Sequence, residues 1–189
     1  MNEPANLSNR LHKAKLTVDD FLGLIERGAF DHYAKVELIE GEIYCVNATY
    51  ARHGYAQAEI SAELRFSLKN LGSDLRTFTA IAIRMPASVP EPDIVLALPV
   101  EGRAMMELSH VALAVEISDS TLKFDLTRKL ALYAREGIAE YWAADIKGRK
   151  VHQFWAPEGG KYTGSREVAF GARIESVTIA GLAAETASL

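Results

Sequence analysis

Eight consecutive residues, Val111-Ala112-Leu113-Ala114-Val115-Glu116-Ile117-Ser118, are apolar at odd and even positions alike until the run nears its end. The side chains of a strand alternate between its two faces, so such a run needs cover on both. It reads as the central strand of a mixed α/β sheet with helices on either face. Helical spacing supplies that cover on both sides of it in the chain. Ala56, Ile60, Leu64, Leu68 and Leu71 recur at helical intervals until Gly72, and Leu126, Leu130 and Tyr133 mark a helix from Leu122 to Arg135 with Gly137 at its end.

The remaining elements follow from punctuation. Leu75 to Met85 is strand-like, and Pro86, Pro90 and Pro92 bound a turn before the short apolar strand Asp93 to Leu98. Glu140 to Ile146 and Lys150 to Trp155 read as strands joined at Lys147-Gly148; Glu158-Gly159-Gly160 makes a further turn, and Val177 to Ile179 offers one more strand. The stretch from Ala51 to Ile146 therefore spells α-β-β-β-α-β. Before it, Thr17-Val18-Asp19-Asp20 resembles a capping box that opens a helix with Val18, Phe21, Leu22 and Ile25 inward and Gly28 beyond its end. Two short strands around Glu40-Gly41 read as a hairpin. Residues 1–15 are expected to form a flexible arm, and residues 16–189 a single domain.

Composition narrows the function classes. With 21 Lys+Arg against 25 Asp+Glu, the net charge of −4 gives no overall basic field for nucleic acid. An enzyme that needs only a local basic groove, and uses acids to hold metal, is compatible with it. Cys45 is the only cysteine, which excludes an intrachain disulfide and a Cys-rich zinc site; its apolar strand marks it as a packed core thiol. No apolar run reaches the roughly 18 residues of a membrane helix. Met1 to Lys15 lacks the apolar stretch of an export signal. The expected location is the cytoplasm, with no membrane partner.

Two acids stand on apolar strands: Asp93, just after Pro92, and Glu116, near the end of the central run. A carboxylate there must be paired, hydrogen-bonded or metal-bound. A capping Asp and an ion-paired Glu would meet that need; so would a pair of oxygen ligands for Mg²⁺. Without a cation such acids repel one another, and at least one should hold its proton more tightly than usual. Asp125 and Lys129, four residues apart, share a helix face. They are either an ordinary exposed pair or a device that sets Lys129 over a metal-bound phosphate. Glu37 and His53 lie on a strand and at a helix start, and each is compatible with a surface role. Ser118, Ser120 and Thr121 turn the chain and cap the next helix. Tyr141-Trp142 and Phe154-Trp155 read as core or dimer contacts.

The stretch Val115-Glu116-Ile117-Ser118-Asp119-Ser120-Thr121-Leu122-Lys123-Phe124-Asp125, continuing to Lys129, Leu132-Tyr133-Ala134-Arg135-Glu136-Gly137-Ile138 and Glu140-Tyr141-Trp142-Ala143-Ala144-Asp145, resembles the Uma2 (DUF820) family of endonucleases. Leu16-Thr17-Val18-Asp19-Asp20-Phe21, Glu37-Leu38-Ile39-Glu40-Gly41-Glu42, His53 and Pro92-Asp93 are similar to its earlier markers, in the same order. The resemblance implies the PD-(D/E)XK nuclease superfamily and a restriction-endonuclease-like αβββαβ core. The N-terminal helix and β-hairpin are additions to that core. It also implies roles: Asp93 and Glu116 as metal ligands, Glu37 as a family acid facing the same site, and His53 as a histidine near it. Ser118 stands where the superfamily has lysine and carries no charge, so Lys129 is the candidate replacement, with Asp125 to orient it.

The function expected from these residues is metal-dependent hydrolysis of DNA phosphodiester bonds, with Mg²⁺ or Mn²⁺ as cofactor and a homodimer as the working form. The competing expectations are a catalytically weak or inactive module on the same fold that binds nucleic acid or protein, and an enzyme acting on a phosphorylated small molecule.

Overall fold

The computed structural model describes residues 13–46, 50–102 and 105–189. Of the expected N-terminal arm, residues 1–12 lie outside the described residues. The described chain opens with helix α1 (Val18–Glu26), closed by a capping box in which Thr17 and Asp20 bond reciprocally. Strands β1 (Lys35–Ile39) and β2 (Glu42–Val46) form the hairpin. Both of its turn residues are left-handed, Glu40 at φ 53° and Gly41 at φ 81°, the geometry that a two-residue turn needs to match strand twist. A Cβ on Gly41 would lie 2.7 Å from the Lys15 Cβ, so glycine also lets the chain pass close by.

Helix α2 (Ala51–Leu71) ends on Gly72 in the left-handed conformation. Then come β3 (Arg76–Thr79), β4 (Ile83–Arg84), β5 (Ile94–Ala97), β6 (Met106–Glu107) and β7 (Val111–Ser118). The next helix is an α-turn (Leu122–Phe124), a π-helical stretch (Asp125–Lys129) and a second α-helical stretch (Leu130–Arg135), together called α3. Strands β8 (Glu140–Asp145), β9 (Lys150–Glu158), β10 (Lys161–Ala169), β11 (Arg173–Glu175) and β12 (Ala183–Glu185) complete the described chain. The main sheet has the order β10-β9-β8-β7-β5-β3. Its β7–β8 pair is parallel and joined by α3; the other pairs are antiparallel. Among the described residues no helix is long and apolar enough to cross a membrane.

Pleat alternation sorts the core into two layers. Ile94, Leu96, Leu113, Val115, Ile117, Trp142 and Ala144 pack with Ala56, Ile60, Leu64 and Leu68 of α2. Val95, Ala97, Ala114, Tyr141 and Ala143 pack with Leu132 and Tyr133 of α3. This alternation also aims the acids. Glu116 follows Ala114 on the α3 side. Since Ile94 pairs with Val115 in an antiparallel ladder, Asp93 falls opposite Glu116 one step further on, on the same side.

Several expectations are corrected here. Leu75 to Met85 is two strands, because the left-handed Ala80 (φ 50°) turns the chain; β3 joins the main sheet while β4 pairs in parallel with β6. Cys45 is exposed, since β2 covers the core with little more than the residues nearest the turn. Val177 to Ile179 is not a strand. The Val177 and Thr178 amides turn instead to the fully buried Glu140 carboxylate, at 3.0 and 2.9 Å. β10 was not foreseen: it is an edge strand with a mostly exposed, polar sequence, so hydrophobic alternation does not mark it.

Candidate active site

Asp93 enters the site at the head of β5. Its Oδ2 accepts the Ile117 amide at 2.7 Å and lies 3.2 Å from His53 Nε2; its Oδ1 is 3.5 Å from Lys35 Nζ. The Gln57 side-chain amide holds its main-chain carbonyl at 2.7 Å. Burial alone would push this carboxyl up. The His53 and Ile117 hydrogen bonds and the Lys35 charge outweigh it and hold Asp93 down to about 2.

Glu116 points from β7 toward α3. Its Oε1 accepts two donors, Lys129 Nζ at 2.9 Å and the Tyr133 hydroxyl at 2.7 Å. Lys129 and Tyr133 are four residues apart, so both reach one oxygen from the same helix face. Lys129 Nζ also donates to Glu37 Oε1 at 3.0 Å, and that oxygen accepts the Glu91 amide at 2.7 Å. Burial opposes the Lys129 charge, but Glu116, Glu37 and Asp125 offset it, and the ammonium stays protonated well above its usual range. Burial also raises Glu116 strongly, beyond what Lys129 and Lys35 recover. Burial thus weighs most heavily on Glu116, while Asp93 is well compensated.

One cavity of about 240 Å³ is lined by all six residues singled out in the sequence: Glu37, His53, Asp93, Glu116, Asp125 and Lys129. Lys129 reaches Glu116 and Glu37; no hydrogen bond among the described residues joins it to Asp93. Asp125 does not bond Lys129 either. Its Oδ2 accepts the Ser118 and Thr121 hydroxyls at 2.8 and 2.6 Å instead, within a π-helical stretch that runs from Asp125 to Lys129. Burial raises Asp125 as well. Neither Asp125 nor Lys129 is an exposed surface residue.

Lys35 and Tyr133 were missed in the sequence. Lys35 sits two residues before Glu37 on β1, a period-two spacing that points both into the cavity. Its charge is maintained against burial chiefly by Glu116. Tyr133 reads in the sequence as one of the apolar marks of its helix; its place four residues after Lys129 is the available signal.

The donor set fits a hard divalent cation. Five carboxylates, Asp119 included, line the cavity against two lysines. Among the described residues, the hydrogen bonds to the Glu37 and Glu116 side chains all fall on Oε1, and the one contact on Asp93 Oδ1 is long. Each of the three acids thus has an oxygen with little or no protein partner. Among the described residues, no group of three His, Cys, Asp or Glu side chains is placed so that it could hold a metal ion as it stands.

A family model, Uma2, described as "Putative restriction endonuclease", matches residues 18–187. Curated proteins give no match. Among solved structures the chain is similar to a "putative nuclease belonging to DUF820" from Anabaena variabilis ATCC 29413, at 19% identity and a TM-score of 0.69, over 85% of this chain and 89% of that one. That likeness concerns the fold, and it agrees with the mixed α/β architecture described above.

Proposed function

Because the chain belongs to the Uma2 family, we propose that its cavity hydrolyses phosphodiester bonds of DNA with the help of Mg²⁺ or Mn²⁺. The observation that carries this reading is the meeting of the buried Asp93, Glu116, Glu37 and Lys129 side chains in one cavity. Asp93 and Glu116 would hold the cation, with Glu37 beside them. When bound, such an ion polarises the phosphate and makes a coordinated water more acidic.

The chain's own residues supply the rest. Lys129 is a permanent cation beside Glu116, placed to meet the charge that grows on the phosphate oxygens as water adds and the ester oxygen leaves. Lys35 brings a second positive charge to the Asp93 side. His53 and the Ile117 amide fix the Asp93 carboxylate, and Tyr133 fixes that of Glu116. Asp125, held by two hydroxyls, adds negative charge that keeps Lys129 protonated and orders the start of α3. Ser118 therefore contributes by anchoring Asp125, and Lys129 takes over the charge that a lysine at position 118 would bring.

One observation favours a second reading, a binding module without cleavage: Glu37 and Glu116 are already engaged by Lys129. Incubation of plasmid and linear DNA with Mg²⁺ or Mn²⁺ separates the two. Metal-dependent cleavage is expected from the wild type, with loss of about 100-fold or more in Glu116→Gln. DNA binding without cleavage under every metal condition would leave the module reading in its place.

A further inference from the structure

We propose that this site, on the nuclease reading above, takes an unpaired DNA strand one nucleotide at a time and does not act on a continuous duplex. The first reason is access. Glu116 and Lys129 are each 3% exposed, and Asp93 is 8% exposed. All three line a cavity of about 240 Å³. That is smaller than the roughly 300–1,000 Å³ of pockets that hold drug-sized ligands, and suits a single sugar-phosphate or base. The backbone of a paired, stacked duplex is stiff, and turning one phosphate inward costs bending energy. Enzymes that must draw a base into a pocket extrude the nucleotide or use single strands. An unpaired strand bends at little cost.

The second reason is the chemistry of the mouth. Tyr50 lies at the cavity edge and is 65% exposed. Tyr44 and Phe124 also line the cavity, with ring centroids 4.7 Å apart. Aromatic faces beside a phosphate site are what an unpaired base stacks on; paired bases already have stacking partners. The third reason is charge. A duplex is held by neutralising several phosphates at once. Here the two lysines in the cavity are ion-paired, and at its rim Arg52 and Lys147 both face Asp119, at 2.6 and 3.8 Å. The net charge is −4. These four cations all have acidic partners, which leaves little free charge for a row of phosphates.

The test compares a fluorescein-labelled DNA strand with the same strand annealed to its complement. Binding is read by anisotropy in EDTA, and cleavage by gel after Mn²⁺ is added. The strand should be bound and cleaved at least about tenfold better than the duplex, and Tyr50→Ala should lower strand cleavage by about tenfold while Tyr50→Phe keeps it, as expected when one base stacks on the ring. Equal or faster cleavage of the duplex would overturn the strand preference and leave the nuclease reading standing. Strand preference unchanged by Tyr50→Ala would remove the stacking role. Neither binding nor cleavage of either DNA would overturn both readings.

Discussion

Lys129→Met should destabilise the protein by about 3–5 kcal/mol, because removing one partner from a buried ion pair leaves charge without compensation. Methionine fills nearly the volume of the lysine stem, so packing loss is small. What disappears is the ammonium that Glu116 and Glu37 share at 2.9 and 3.0 Å. The two acids would then face each other beside Asp93 and Asp125, with Lys35 as the remaining cavity lysine. Urea unfolding of wild type and variant measures the loss. Adding Glu116→Gln to Lys129→Met should restore part of it, since one uncompensated carboxylate is removed. A single-variant loss under about 1 kcal/mol would mean that Lys129 is solvated in solution and does not close the cluster.

A loss of similar size, about 4 kcal/mol, is expected for Glu140→Ala, on the opposite face of the sheet. This fully buried carboxylate accepts the Trp142 indole N–H and the Ser176 hydroxyl, each at 2.6 Å, the Thr178 hydroxyl at 2.8 Å and the Val177 and Thr178 amides. Truncation strands several donors at once, and each unsatisfied buried group costs about 1–3 kcal/mol where water cannot replace its partner. Glu140→Gln should recover part of the loss by keeping one acceptor oxygen. Unfolding curves measure both changes. Because Glu140 alternates with Trp142 and Ala144 on the α2 side, the folded Glu140→Ala protein should retain the ligand-binding properties of the cavity. A neutral effect on stability would show that residues 176–178 find other partners.

Much of the fold was legible because burial leaves a pattern. The run Val111 to Ser118 could be placed at the centre of the sheet because both of its faces are apolar, and α2 because its inward residues recur at helical spacing up to Gly72. β10 left no such pattern: as an edge strand it needs no continuous apolar side. The division of β3 from β4 depends on one left-handed residue, Ala80, of a type that carries no turn signal. At the site, Asp93 and Glu116 could be paired from their strands, while Lys35 and Tyr133 look in sequence like an ordinary strand lysine and a core tyrosine. The π-helical stretch was invisible too, and with it the exchange of partners by which Asp125 goes to Ser118 and Thr121 and Lys129 to Glu37. Resemblance to a family supplied the residues; only the structure supplies which oxygen meets which nitrogen. It also moves the electrostatic strain. The sequence predicts repulsion among the acids, but Asp93 is held by Ile117, His53 and Lys35, so an Asp93→Ala exchange removes favourable contacts.

The central claim is that Asp93 and Glu116 together hold a divalent cation beside Lys129. Calorimetric titration of Mn²⁺ and Mg²⁺ into wild type, Asp93→Asn and Glu116→Gln tests it most directly, with thermal unfolding of each protein as a check that the variants are folded. The expected result is a saturable heat in the wild type at micromolar-to-millimolar affinity and a raised melting temperature, about 2.7 kcal/mol of stabilisation at a hundredfold excess over the dissociation constant, with both effects lost in the two variants. Equal heats from all three proteins, or none from the wild type, would contradict it.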